Sequence, residues 1–139
     1  LPGYLTGTFY MCQAVGSHML KSGNGKIVNL ASQAGSVAIE QHIAYCASKF
    51  GVIGLTKVLA LEWGGKGITV NSLSPTIVLT ELGKKAWSGQ KGEQAKALIP
   101  TGRFAQPDEI AASALFLVSK SADMINGADL IVDGGYTIH

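Results

Sequence analysis

Three short runs of aliphatic and β-branched residues punctuate the chain: Lys26-Ile27-Val28-Asn29-Leu30-Ala31, Ile68-Thr69-Val70-Asn71-Ser72-Leu73 and Asp129-Leu130-Ile131-Val132-Asp133. Each is too short for a helix and has the composition of a buried strand. Between them lie longer stretches with helical spacing. Residues 7–22 carry apolar groups at mixed three- and four-residue intervals and stop at Gly23-Asn24-Gly25. Helical character returns from Ile43 to about Trp63 and ends at Gly64-Gly65-Lys66-Gly67. Pro107-Asp108-Glu109 opens a third helix, with proline in the first turn and two carboxylates at the positive end of the dipole. That helix runs to about Val118. Strand, helix, strand, helix, strand is the alternation of a parallel α/β sheet. In such sheets the ligand site lies beyond the carboxyl ends of the strands. Those ends are Ala31-Ser32, Ser74-Pro75 and Asp133-Gly134.

The connections are less regular. Residues 32–42 are mostly small and polar and read as a loop. The second strand is expected to stop at Ser74-Pro75. Residues 76–104 are more polar, with short helices around 80–88 and 91–98 expected within a mobile segment.

Composition narrows the function classes. The 139 residues suggest one domain at most. Hydrophobic residues make up 47% and charged residues 14%, against about 25% charged in an ordinary soluble domain. That excludes a disordered chain, and scattered glycines exclude a coiled coil. The longest strictly apolar runs fall short of the roughly 20 residues of a membrane span. A net charge of +2, with Arg103 as the only arginine, argues against nucleic acid or an anionic membrane as partner. Two cysteines, Cys12 and Cys46, and three scattered histidines do not make a zinc site, so no metal is expected. A reducing, cytoplasmic setting is the expectation. The chain begins at Leu1, in the lead-in to a helix, which suggests a fragment.

The chemistry centres on Tyr45-Cys46-Ala47-Ser48-Lys49. Tyr45 and Lys49 are four apart and share one face of a helix. A tyrosine near pKa ~10 is a poor acid–base group at neutral pH. A neighbouring ammonium favours the phenolate and brings the pair toward the working range. Ser32 lies at the end of the first strand, where its hydroxyl can reach the same substrate oxygen. Taken singly, each is equally at home as a surface or turn residue. The ordered set of strand-end serine, loop and helical Tyr-x-x-x-Lys is far more specific.

At this point the sequence resembles the short-chain dehydrogenase/reductase family. The resemblance rests on Lys26–Ser32, Tyr45–Lys49, Gly67–Pro75, Gly102-Arg103-Phe104 with Pro107-Asp108-Glu109, and Val132-Asp133-Gly134-Gly135, in that order. It covers nearly the whole chain but only the C-terminal half of the family's domain. It therefore implies a Rossmann-like, doubly wound parallel α/β sheet, of which residues 1–139 are the catalytic half of one domain. It implies hydride transfer between NAD or NADP and a small-molecule carbonyl/alcohol pair. Tyr45 would be the general acid/base, Lys49 would tune it and hold the nicotinamide ribose, and Ser32 would polarise the substrate oxygen. The family's motif after the second strand reads here Pro75-Thr76-Ile77-Val78-Leu79-Thr80, with threonine replacing a glycine. By that match Pro75, the Val78 amide and the Thr80 hydroxyl would contact the nicotinamide end of the cofactor, and Thr80 can also serve as a helix N-cap. Helices matching 7–22 and 43–63 pack between subunits in the family, which implies a homo-oligomer, dimer or tetramer.

Two departures stand out. Tyr4 occupies the place of a family asparagine in Tyr4-Leu5-Thr6-Gly7-Thr8-Phe9. The glycine-rich turn that seats a pyrophosphate on a helix N-terminus has no counterpart: Gly23-Asn24-Gly25 precedes a strand instead of opening a helix. The 139 residues alone are therefore expected not to bind the cofactor with micromolar affinity.

Residues 74–87, with Pro75-Thr76 and Trp87, resemble the polyol and sugar branch that includes xylulose reductases. Gln33, Gln41 and His42 are the candidate hydroxyl readers, and Trp87 a candidate apolar wall. Two alternatives stand beside a sugar or polyol oxidoreductase. One is a 3-oxoacyl-thioester reductase. The other is an inactive truncated chain that keeps an oligomerisation surface.

Overall fold

A computed structural model of the chain describes residues 2–138. A π-helical turn, Pro2–Thr6, leads into α1, Gly7–Ser22. β1 (Gly25–Leu30), α2 (Ile43–Trp63) and β2 (Ile68–Pro75) follow. Two short helices, α3 (Glu81–Ala86) and α4 (Gly89–Ala97), come before α5 (Pro107–Leu117) and β3 (Asp129–Val132). The strands form one parallel sheet in the order β1-β2-β3. The α/β class and the parallel pairing are those expected from the alternation.

The turns that feed β1 and β2 are built against each other. Gly23 ends α1 at φ 71°, its N–H donating to the Met19 carbonyl at 2.8 Å. Gly67 has φ 85°, and a Cβ there would run into the Gly23 carbonyl. Both positions need glycine. The Gly25 N–H bonds the Gly67 carbonyl at 3.2 Å, which sets the register that pairs Gly25 with Ile68.

Ile27, Ile68 and Val70 from the sheet pack with Cys12 of α1 and Ala60 of α2, and Val15, Met19, Leu59 and Trp63 close the cluster. Asparagines seal the polar seams. Asn71, 1% exposed, donates to the Ile125 carbonyl and accepts from the Ala128 N–H, both at 2.9 Å. Asn126 accepts from the Val70 N–H and donates to the Ala60 carbonyl. These four bonds tie residues 125–128 to β2 and to the end of α2.

β2 runs through Ser74 and Pro75, two residues past the end expected at Leu73. The Ser72 and Thr76 N–H groups donate to Ala128 and Val132 on the β3 side, while the Leu73 carbonyl accepts from Ala31 on the β1 side. By this alternation the missing N–H of Pro75 falls on the edge where β1 has already ended, so proline costs the ladder nothing. In residues 76–104 the short helices expected around 80–88 and 91–98 are α3 and α4, and the return bridges Val78 to Ala105. By length and composition α2 with its following turn is apolar enough to cross a membrane. Here it packs on β2 and β1 and buries Ser48, Lys49 and Thr56, as a core helix does.

Candidate active site

Beyond the carboxyl ends of β1 and β2 lies a cleft of about 360 Å³. One wall is polar, from Ser32, Gln33, His42, Tyr45 and Thr76. The other is largely apolar, from Ile77, Trp87, Ala95, Leu98 and Ile99, with Ile39 and Tyr136 completing the lining.

Each polar residue owes its place to local structure. Ser32 follows β1 in extended conformation and caps the short turn Gln33–Gly35, its Oγ accepting the Ala34 N–H at 3.1 Å. That bond uses a lone pair, so the hydroxyl proton stays available to a substrate oxygen. Gln33 is buried, and its Oε1 has no hydrogen-bond partner, nor has the Oγ1 of buried Thr76. Tyr45 sits half-buried in the first turn of α2. His42 precedes α2, with Nδ1 2.7 Å from the Glu40 carbonyl oxygen and its ring edge-on to Tyr45 at 6.5 Å.

Lys49 lies one helical turn behind Tyr45, 7% exposed. Its Nζ donates to the Leu30 carbonyl at 3.1 Å and stands 5.7 Å from the Tyr45 ring centroid. Burial pushes its pKa below the ordinary 10.5, because the ammonium is stripped of water.

The residues after β2 adopt an extended path. Leu79 donates to the Ala105 carbonyl, and Ala105 donates back to Ile77. Successive residues of an extended segment face opposite ways, so the Val78 N–H points away from Ala105. Pro75 is buried at the end of β2. Thr80 caps α3, its Oγ1 accepting the Gly83 N–H at 3.0 Å, and is exposed there. Trp87, just past α3, is wedged edge-on against Phe104 with centroids 6.2 Å apart.

Ser32, Gln33, His42, Tyr45 and Trp87 thus meet on one cleft, with Lys49 behind Tyr45. Gln41 stands apart from them. Its φ of 65° turns it to the outside, where it is exposed and lines no part of the cleft. Ile39, Thr76, Ile77, Ala95, Leu98, Ile99 and Tyr136 line the cleft without having been singled out from sequence. Only Thr76 carried a signal, as a departure from glycine in the Pro75–Thr80 motif.

The family model that matches residues 4–137 is described as "Enoyl-(Acyl carrier protein) reductase". A D-threitol dehydrogenase of Mycolicibacterium smegmatis is 69% identical over 134 residues, which cover 96% of this chain and 52% of the relative. An NAD-dependent glycerol dehydrogenase of Listeria innocua is 58% identical, covering 96% of this chain and 53% of the relative. Among solved structures, an oxidoreductase of the short-chain dehydrogenase/reductase family from Burkholderia thailandensis superimposes with a TM-score of 0.93 at 38% identity, covering 99% of this chain and 54% of its own. The chain spans about half the length of the curated relatives it matches.

Proposed function

The chain belongs to the short-chain dehydrogenase/reductase family, and from that premise we propose that it is the catalytic half of one domain that moves a hydride between NAD or NADP and a polyol, a sugar or the related ketone. The observation that carries this reading is the convergence of Ser32 and Tyr45 on one cleft, with the buried ammonium of Lys49 directly behind. The bound cofactor supplies or accepts the hydride. The protein's own task is to place the substrate oxygen and to move its proton.

In reduction the Tyr45 hydroxyl gives its proton to the carbonyl oxygen; in oxidation the Tyr45 phenolate takes the alcohol proton. The Lys49 charge favours the phenolate that this leaves. Ser32 donates its free hydroxyl proton to the same oxygen and fixes its position. The donor set fits the nicotinamide end of the cofactor. Pro75 ends β2, and the outward Val78 N–H and the Thr80 hydroxyl are free to donate. Lys49 keeps two further protons for a ribose hydroxyl.

Relatives named for threitol and glycerol favour the polyol branch. So does the polar wall, where Gln33 and His42 can read hydroxyl groups while Trp87 covers the carbon skeleton. The exposed Phe9, Tyr10 and Met11 of α1 and Phe50, Val58 and Leu61 of α2 are the apolar surface on which a homo-oligomer, dimer or tetramer, would form.

A substrate panel tests the reading. A protein carrying this chain together with a dinucleotide-binding half is expected to oxidise C3 to C6 polyols with NAD or NADP. Turnover of 3-oxoacyl thioesters in preference to every polyol would overturn the assignment.

A further inference from the structure

The Lys49 ammonium is buried with no carboxylate in salt-bridge reach among the described residues. One of its protons goes to the Leu30 carbonyl. Two aromatic faces lie near the rest of the charge: Tyr45 at 5.7 Å and, closer, Tyr4 at 5.0 Å. A cation over an aromatic face within about 6 Å is attracted by the ring quadrupole, more strongly when water is excluded. The Tyr4 ring also packs edge-on to Tyr45, with centroids 5.3 Å apart and planes at 88°. It therefore touches both members of the pair proposed to move the proton.

The lead-in is built to hold Tyr4 there. The π-helical turn Pro2–Thr6 packs on α2. Leu5 fits against Gly51, where a Cβ would collide with the leucine. The Thr8 hydroxyl donates to the Tyr4 carbonyl at 2.8 Å. We propose that Tyr4 is a positioning residue: its ring serves in place of a carboxylate as the counter-group of Lys49, keeping the ammonium charged and fixed beside Tyr45. This rests on the proposed roles of Tyr45 and Lys49 and adds a residue to them.

Few other titratable groups bear on Lys49. Tyr4 and Tyr45 face it, and the His42 ring lies beyond Tyr45. On the neighbouring elements Cys12 bonds Asn29 and Lys26 pairs with Asp123. Tyr10, His18 and Lys21 of α1 are exposed, and β2 and the turn 33–35 carry no titratable side chain.

The test reads Lys49 itself and needs no turnover. The 139-residue chain is reductively methylated with ¹³C-formaldehyde, and the Lys49 resonance, assigned with Lys49→Arg, is titrated in wild type, Tyr4→Phe, Tyr4→Leu and Tyr4→Met. Tyr4→Phe keeps a ring face and is expected to titrate as wild type. Tyr4→Leu and Tyr4→Met are expected to lower the Lys49 midpoint by roughly half a unit to one unit. Tyr4 is 57% exposed, so neither change opens a core cavity, and either aliphatic variant alone suffices. An unchanged midpoint in the aliphatic variants, or a Tyr4→Phe variant that shifts with them, overturns the proposal. Absence of polyol oxidation would instead fault the proposed function and leave this result readable.

Discussion

In the proposed mechanism Tyr45 moves the proton, and its phenolic oxygen is what Tyr45→Phe removes. In a protein that holds this chain with a dinucleotide-binding half, that change is expected to lower kcat by at least about a hundredfold. Cofactor affinity, followed by NADH fluorescence, is expected to stay within about twofold; retained turnover would sink the role. Lys49 makes a second prediction, on stability. Its folded pKa is depressed by burial, so between that lowered value and 10.5 the unfolded chain holds more protons than the folded one. Stability then rises with pH across that window, because the cost of burying the charge is relieved. Lys49→Met lacks this term. The melting temperature of wild type relative to Lys49→Met is therefore expected to climb as pH is raised toward 10.5, and a constant difference would contradict it. That Ser32 and Tyr45 share a cleft with Lys49 behind Tyr45 was legible from sequence, because a strand end and a fixed helical spacing place them locally. The partners of Lys49 were not: Leu30 is 19 residues away and Tyr4 lies across the fold, contacts that only tertiary packing creates.

At the scale of elements, the strands and long helices were legible because their periodicity is strong, and the errors fell where context overrides local signals. Pro75 reads as a strand breaker, yet it sits harmlessly in β2 because its missing donor faces the edge where β1 is over. The apolar wall of the cleft was hidden because α4 is polar along most of its length and contributes Ala95, with Leu98 and Ile99 just beyond. The start of α5 shows the reverse case, a local signal that held. Glu109 accepts from the Gln106 N–H and pairs bidentately with Arg103 at 2.7 and 2.9 Å. Its carboxyl is held at about 2, chiefly by the Arg103 hydrogen bond. A depressed carboxylate stabilises the fold above its ordinary 4.5 and loses that contribution as pH falls toward about 2. Glu109→Gln is therefore expected to melt lower than wild type at pH 7 and to converge with it near pH 2. Asn71 predicts a larger loss. Its two bonds hold residues 125–128 to β2, and Asn71→Ala strands buried partners at a cost of about 2–3 kcal/mol in urea unfolding.

For the whole molecule, the decisive fact is proportion: about half of each curated relative is matched. Among the described residues no glycine-rich turn opens a helix to seat a pyrophosphate. Isothermal titration of the 139 residues with NADH is expected to give a dissociation constant weaker than micromolar, and tighter binding would place a phosphate site inside this chain. The strand order has a material consequence of its own. Among the described residues β1 is an outer strand of the sheet, so along Gly25–Leu30 one edge has no neighbouring strand within them, and it is unbroken by proline. Such a rim is adhesive toward any extended peptide. In a test tube the chain's shelf life would then be governed by colloidal behaviour, with turbidity rising with concentration well below the melting temperature.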